Sequence, residues 1–169
     1  MVDWSCPDKS GEWAEANYPN VKVVRVAAKK YFNMSGARNA GATVATGDWL
    51  CFCDADNLIL PKTVMMIKRL VDHVHGCFIR AGIREDLSGF MLCRREDWEA
   101  IKYNENMTGW GSDDNEFADG LRKQLGLVEI NLDKAAIAYI PHGDDLRVQH
   151  FEDKDPAKTR EENLTKRRF

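Results

Sequence analysis

The sequence predicts an α/β domain with a mainly parallel sheet flanked by helices, and three observations carry that expectation. Strand-length apolar or alternating runs are interleaved with longer segments whose apolar residues recur every three or four positions. The run Trp49-Leu50-Cys51-Phe52-Cys53 is apolar throughout, as a strand buried on both faces requires. The chain has 169 residues, 44% of them hydrophobic, which suits one folded domain and argues against extended disorder.

In chain order, residues 21–26 (VKVVRV) read as a strand. Ser35 opens an Ala-rich helix through Ala45, closed by Thr46-Gly47. Residues 49–53 form the buried strand. Pro61 sits in the first turn of a helix with a stripe of Val64, Ile67, Leu70, Val71 and Val74. Residues 77–80 and 89–93 are strands, and 94–101 a short helix. Residues 113–125 form a helix with Phe117, Leu121 and Leu125 at four-residue steps, stopped by Gly126. Residues 128–132 and 135–140 read as a final strand pair. The domain proper spans residues 1–151, and 152–169 form a charged tail or surface helix. There is no internal repeat and no low-complexity linker.

Lys and Arg number 24 against 27 Asp and Glu, a formal charge of −3 that supplies no basic surface for nucleic acid. No apolar run reaches the ~20 residues of a membrane span. The five cysteines contain no Cys-x-x-Cys pair, and three lie in apolar runs, which fits a reducing, cytoplasmic setting. Lys166-Arg167-Arg168, after Lys158 and Arg160, suggests a peripheral membrane contact as an alternative, but interspersed acids favour a solvated helix.

Asp54-Ala55-Asp56 follows the buried strand directly, where ligands gather in open α/β sheets. Carboxylates two apart in extended chain point to one side and can share Mn2+ or Mg2+, leaving positions for substrate phosphates. On its own such a turn reads as a solvated loop. Farther on, Gly109-Trp110-Gly111-Ser112-Asp113-Asp114 precedes a helix. Glycines around Trp110 permit a bend that displays the indole to a sugar. Asp113 and Asp114 fall in the first turn, where the helix dipole favours ionised carboxylate, as a general base needs. The plainer reading of the pair is an acidic helix start.

Three strings, Phe32-Asn33-Met34-Ser35-Gly36-Ala37-Arg38-Asn39-Ala40-Gly41, Ala45-Thr46-Gly47-Asp48-Trp49-Leu50 and Asp54-Ala55-Asp56-Asn57, resemble the nucleotide-sugar half of GT-A glycosyltransferases, closest to glycosyltransferase family 2. The resemblance implies a Rossmann-like GT-A fold and a metal-dependent, inverting transfer from a nucleotide diphosphate sugar, UDP-linked, to a glycan or other hydroxyl. It implies Asn33 in the donor site, Asp54 near the ribose, Asp56 on the metal, and Arg38 near the phosphates or bracing the site. The loop at 109–116, with Ser88-Gly89-Phe90-Met91-Leu92 and the Trp98 helix before it, resembles the C-terminal region of galactosyltransferases and chondroitin-type polymerases. By that likeness Trp110, Gly111 and Asp113 meet the acceptor and Asp114 is the base, with Asp113 and Ser112 replacing the usual Glu and Gly. His150 stands at the late metal-binding histidine of those families, with His142 in Pro141-His142-Gly143 as the alternative.

Val2-Asp3-Trp4-Ser5-Cys6-Pro7-Asp8 resembles the end of the family's second strand, which places Asp3 at the nucleobase. The usual first βα unit has no counterpart, Trp4 replaces a second acid, and Met34 stands where galactosyltransferases carry a phosphate-binding arginine. The expectations are weakened nucleotide binding and incompletely covered strands at 21–26 and 49–53. Self-association through the open edge, or rearrangement of residues 1–20 to shield it, should follow. A non-catalytic sugar- or nucleotide-binding remnant of the same fold is the alternative function.

Overall fold

The computed structural model describes residues 1–81, 89–133 and 135–169. The chain crosses between two compact units. The first comprises Met1–Thr46, Tyr103–Asp113 and Asp144–Arg167, the second Gly47–Lys102, Asp114–Gly143 and Arg168–Phe169. Neither boundary falls at 151/152.

In the first unit, β1 (Val2–Asp3) pairs in parallel with β2 (Val24–Arg25) across the helix α1 (Ser10–Asn17). The strand predicted over 21–26 is cut to two residues because a ladder is no longer than its partner, and β1 ends where Ser5 turns at a φ of 54°. Residues 1–20 therefore supply a strand and a helix of their own. The helix α2 (Met34–Val44) starts at Asn33, whose Oδ1 accepts from Gly36 N at 2.7 Å. Gly36 leaves room for the Trp4 ring, since a Cβ there would lie 2.6 Å from it. The indole of Trp4 donates to Tyr31 O at 2.9 Å. The short α6 (Asp144–Val148) is followed by α7 (Pro156–Thr165). Asp155 begins α7 by accepting from Ala157 N (3.0 Å) and Lys158 N (3.1 Å), with Pro156 in the first turn.

The second unit carries β3 (Trp49–Phe52), β4 (Asn57–Ile59), α3 (Pro61–Val71), β5 (Cys77–Arg80), β6 (Met91–Arg94), α4 (Arg95–Ile101), α5 (Asp113–Lys123, entered from Asp114), β7 (Val128–Asn131) and β8 (Ile137–Tyr139). Its four-stranded sheet has the order β3-β6-β5-β7. The expected mainly parallel sheet is instead mixed. β6 runs antiparallel to both β3 (Phe52 opposite Met91) and β5 (Ile79 opposite Leu92), and only β5 and β7 are hydrogen-bonded in parallel. β3, β5 and β7 still point one way. The chain returns through β6 between them, a reversal that strand-length runs alone do not reveal.

The last two strands do not pair with each other as expected. β7 extends the sheet beside β5, while β8 pairs with β4, Asn57 opposite Tyr139 and Ile59 opposite Ile137. Two contacts draw the chain away from β7: the buried Thr63 hydroxyl donates to Ala136 O, and Ile137 enters the core. That core gathers Ile79, Phe90, Leu92, Leu132 and Ile137, with Ile67 and Leu70 of α3 against it. Each such side chain contributes roughly 1.5–3 kcal/mol on burial. The run that the galactosyltransferase resemblance includes at 88–92 begins outside the described residues at Ser88.

Glu116 of α5 is fully buried and is met by the Arg168 guanidinium, Nε to Oε1 at 2.5 Å and a terminal nitrogen to Oε2 at 3.0 Å. The same guanidinium donates to Ile101 O (3.2 Å) and Lys102 O (2.8 Å). The positions expected to be a solvated tail thus include a built contact.

Candidate active site

The acidic pair sits at the carboxyl end of β3, between that strand and β4. Asn57 N donates to Asp54 O (3.1 Å) and Ile140 N donates to Asp56 O (2.7 Å), so the turn is fixed at both ends by backbone. The Asp54 carboxylate packs on the backbone of Gly89, where a Cβ would lie 1.8 Å from Oδ2. No other residue type leaves that carboxylate in place. The loop after β8 returns His142 to the same turn, with Nε2 2.9 Å from Asp56 Oδ2. These two side chains are about a quarter exposed, 26% and 28%. A negative field surrounds the turn. Burial, with the Asp54 and Asp56 carboxylates adding to it, raises the Cys53 thiol to about 11.

An oxygen-rich donor set with one imidazole suits a Mn2+ or Mg2+ ion. Among the described residues, no three His, Cys, Asp or Glu side chains stand together as a complete metal cage. His150 belongs to the first unit, where its carbonyl accepts from Phe32 N (2.9 Å) and its ring meets Gln149 Nε2 (2.7 Å).

The tryptophan loop is built in the first unit. Gly109, Gly111 and Ser112 all have positive φ (73°, 100° and 72°), so the chain bends sharply on either side of Trp110. Ser112 holds a left-handed conformation that glycine would adopt without cost. The half-buried Trp110 ring has the Arg147 guanidinium 5.1 Å from its centroid. The loop's backbone is gripped by α7. Thr159 Oγ1 accepts from Trp110 N (3.2 Å) and donates to Trp110 O (3.0 Å). Asn163 accepts from Thr108 N (3.2 Å) and donates to Thr108 O (3.1 Å) and Gly111 O (2.9 Å).

Arg38 and Asp113, both buried, form an ion pair, and the guanidinium lies 5.1 Å over the Tyr103 ring. The Arg38 guanidinium is thus engaged by Asp113. Asp114, the next residue, opens the second unit's part of α5. Asn33 spends both polar atoms on structure, Oδ1 on the α2 cap and Nδ2 on Glu105 O at 2.9 Å. Asp3 accepts from Cys6 N (2.9 Å) and Gly11 N (3.1 Å), holding the turn into α1.

Gly89 entered the sequence reading only as part of the run 88–92, without its place under Asp54, and Thr159 and Asn163 were not singled out at all. The last two left a signal: Asp155-Pro156 starts a helix, and residues four apart share a helix face.

A mixed α/β fold with a carboxylate pair at a strand end and a glycine-bent tryptophan loop before a helix is that of the GT-A glycosyltransferases. Solved structures agree. The Drosophila β1,4-galactosyltransferase 7 mutant in complex with manganese, UDP-Gal and xylobiose superposes with a TM-score of 0.57 at 18% identity, over 94% of this chain and 78% of that one. The mannosyltransferase of Pyrobaculum calidifontis in complex with GDP-Man and Mn2+ gives 0.60 at 19% identity, over 88% and 51%. Glucosyl-3-phosphoglycerate synthase of Mycobacterium tuberculosis gives 0.60 at 14%, over 86% and 61%. The sequence profile described as "Glycosyl transferase family 2" matches residues 2–124, and the chain belongs to that family. A stretch of 59 residues is 34% identical to the amylovoran biosynthesis glycosyltransferase AmsB of Erwinia amylovora, spanning 35% of this chain but 20% of that protein. No helix among the described residues is long and apolar enough to cross a membrane.

Proposed function

We propose that this family 2 domain transfers a hexosyl or N-acetylhexosaminyl group from a UDP-sugar to a hydroxyl of a glycan, with inversion, and that its acceptor half is of the galactosyltransferase type. The observation that carries the reading is the 2.9 Å approach of His142 to Asp56 at the end of β3, beside the Asp54 carboxylate seated on Gly89. Support for the acceptor half comes from the Gly109–Ser112 bend around Trp110, and from the manganese, UDP-Gal and xylobiose of the Drosophila enzyme.

In this reading Asp56 and His142, with Asp54 beside them, hold a divalent ion, His142 taking the role the sequence had offered first to His150. When bound, the ion supplies positive charge that stabilises a departing diphosphate. Asp114, next to the braced Asp113, accepts the proton of the attacking hydroxyl. The start of α5 is a place where the helix dipole favours negative charge, as a general base needs. Trp110 presents its ring to the acceptor sugar and orients it, and such orientation is worth ~7 kcal/mol or more of the barrier.

The test is titration of UDP and GDP with and without Mn2+ against wild type, His142→Ala and His150→Ala, followed by transfer from UDP-Gal to xylobiose. Metal-dependent UDP binding lost in His142→Ala and kept in His150→Ala is the expected result. The reverse pattern would return the ligand to His150. Metal-independent binding in every protein would sink the metal site.

A further inference from the structure

We propose that α7 is the template on which the tryptophan loop takes its shape, with Thr159 and Asn163 as positioning residues that set Trp110 for a carbohydrate acceptor. The proposal rests on the acceptor role given to Trp110 above.

The residues that α7 buries are Thr159 and Asn163, at 2% and 1% exposure. A helix that docks for stability alone buries an apolar stripe, since buried polar groups cost free energy unless fully paired. Here both buried side chains are polar, and apart from a longer contact of the Thr159 hydroxyl with Pro156 O (3.4 Å) their bonds go to peptide groups of Thr108, Trp110 and Gly111. Thr159 holds both the N–H and the carbonyl of Trp110, which fixes the peptide planes on either side of its Cα and hence the bond from which the indole projects. Lys166 Nζ adds a bond to the Thr108 hydroxyl at 3.2 Å.

Sterics point the same way. A Cβ on Gly109 would lie 2.6 Å from Thr159 Cγ2, and one on Gly111 3.2 Å from the Arg160 side chain. Gly109 is therefore required twice, once by its positive φ and once by the closeness of α7, and Gly111 by its positive φ. The grip is on the backbone, while the ring keeps a half-buried setting beside Arg147. A mould of this kind fixes where a stacking surface points without covering it.

The experiment uses the chain labelled with fluorotryptophan. Its five tryptophans give separate fluorine resonances, and Trp110→Phe assigns one of them. Thr159→Val removes both bonds to Trp110 at equal size, Asn163→Asp removes the donors to Thr108 and Gly111, and Thr159→Ser restores the hydroxyl. Expected is a displaced or broadened Trp110 resonance in Thr159→Val and Asn163→Asp with the other four unmoved. Binding of xylobiose, lactose or cellobiose should weaken at least about tenfold, UDP binding should stay within about twofold, and Thr159→Ser should recover both signals. An unmoved Trp110 resonance with unchanged glycoside affinity overturns the proposal. So does an equal loss of UDP and glycoside binding, which marks a general structural role. Should Thr159→Val fail to fold, all tryptophan resonances collapse together, and Asn163→Asp with Thr159→Ser decides the question. A wild-type Trp110 resonance that ignores every glycoside, while the variants still displace it, defeats the acceptor reading and leaves the mould standing.

Discussion

The acidic turn and the tryptophan loop reach a fixed shape by opposite routes. At Asp54-Ala55-Asp56 the holding contacts come from the strands that enter and leave the turn, from Gly89 and from His142, whose ring meets the Asp56 carboxylate. At Trp110 the neighbouring residues supply only freedom, as glycines, and the shape is imposed by a helix about fifty residues later in the chain. β3 buries Leu50 and Phe52 but exposes Cys51, so it is covered on one face rather than the expected two, and its turn is rigid because backbone bonds hold both ends. A glycine loop is rigid only if something else makes it so.

The two regions should therefore fail differently when altered. Asp114→Asn should cut transfer by about 100-fold to 10 000-fold while leaving Mn2+-dependent UDP binding intact, and Asp56→Asn should abolish that binding. Rates with saturating donor, set beside calorimetry, check this double separation; matching losses in both variants would erase the distinction between the regions. Next in size, Arg38→Met leaves the buried Asp113 without its cation and should lower stability by about 3 kcal/mol in urea unfolding. A loss under about 1 kcal/mol would show that the brace is dispensable. Gly89→Ala drives a methyl group into the Asp54 carboxylate and should weaken metal-dependent UDP binding about tenfold, with Asp113→Asn as a control that does not. Smallest, Ser112→Gly relieves a left-handed serine and should raise stability by about 0.5–1 kcal/mol, visible as a higher urea midpoint at unchanged slope.

Much of this was legible in the sequence because the signals were local. Helices α2, α3, α4 and α5 fall within a few residues of their expected bounds, since capping residues and apolar stripes are encoded nearby. Asp54, Asp56 and Trp110 stood out as candidates because glycines and paired acids announce unusual backbone and charge. The route of β6 between β3 and β5 was not legible, because strand order depends on which edges are free in space. Arg38 was singled out, but its partner Asp113 lies 75 residues away. Thr159 and Asn163 look like any polar residues of a solvated helix, and only the loop beneath them gives them meaning.

The distance between the loop and α7 also sets an order of events. Bonds from Thr159 and Asn163 to residues 108–111 span 49 to 55 positions, so the loop is shaped by non-local contacts. Contacts of that separation are costly in chain entropy and tend to form after local helices. The Trp110 and Thr108 amides, whose acceptors lie on α7, then exchange their hydrogens whenever that helix lifts, without unfolding of the sheet that carries the acidic turn. Amide exchange at Trp110 and Thr108 should follow a common opening with the central amides of α7, faster than exchange in β5 and β6. The tryptophan loop would then take its shape after the local helices and lose it before the sheet opens.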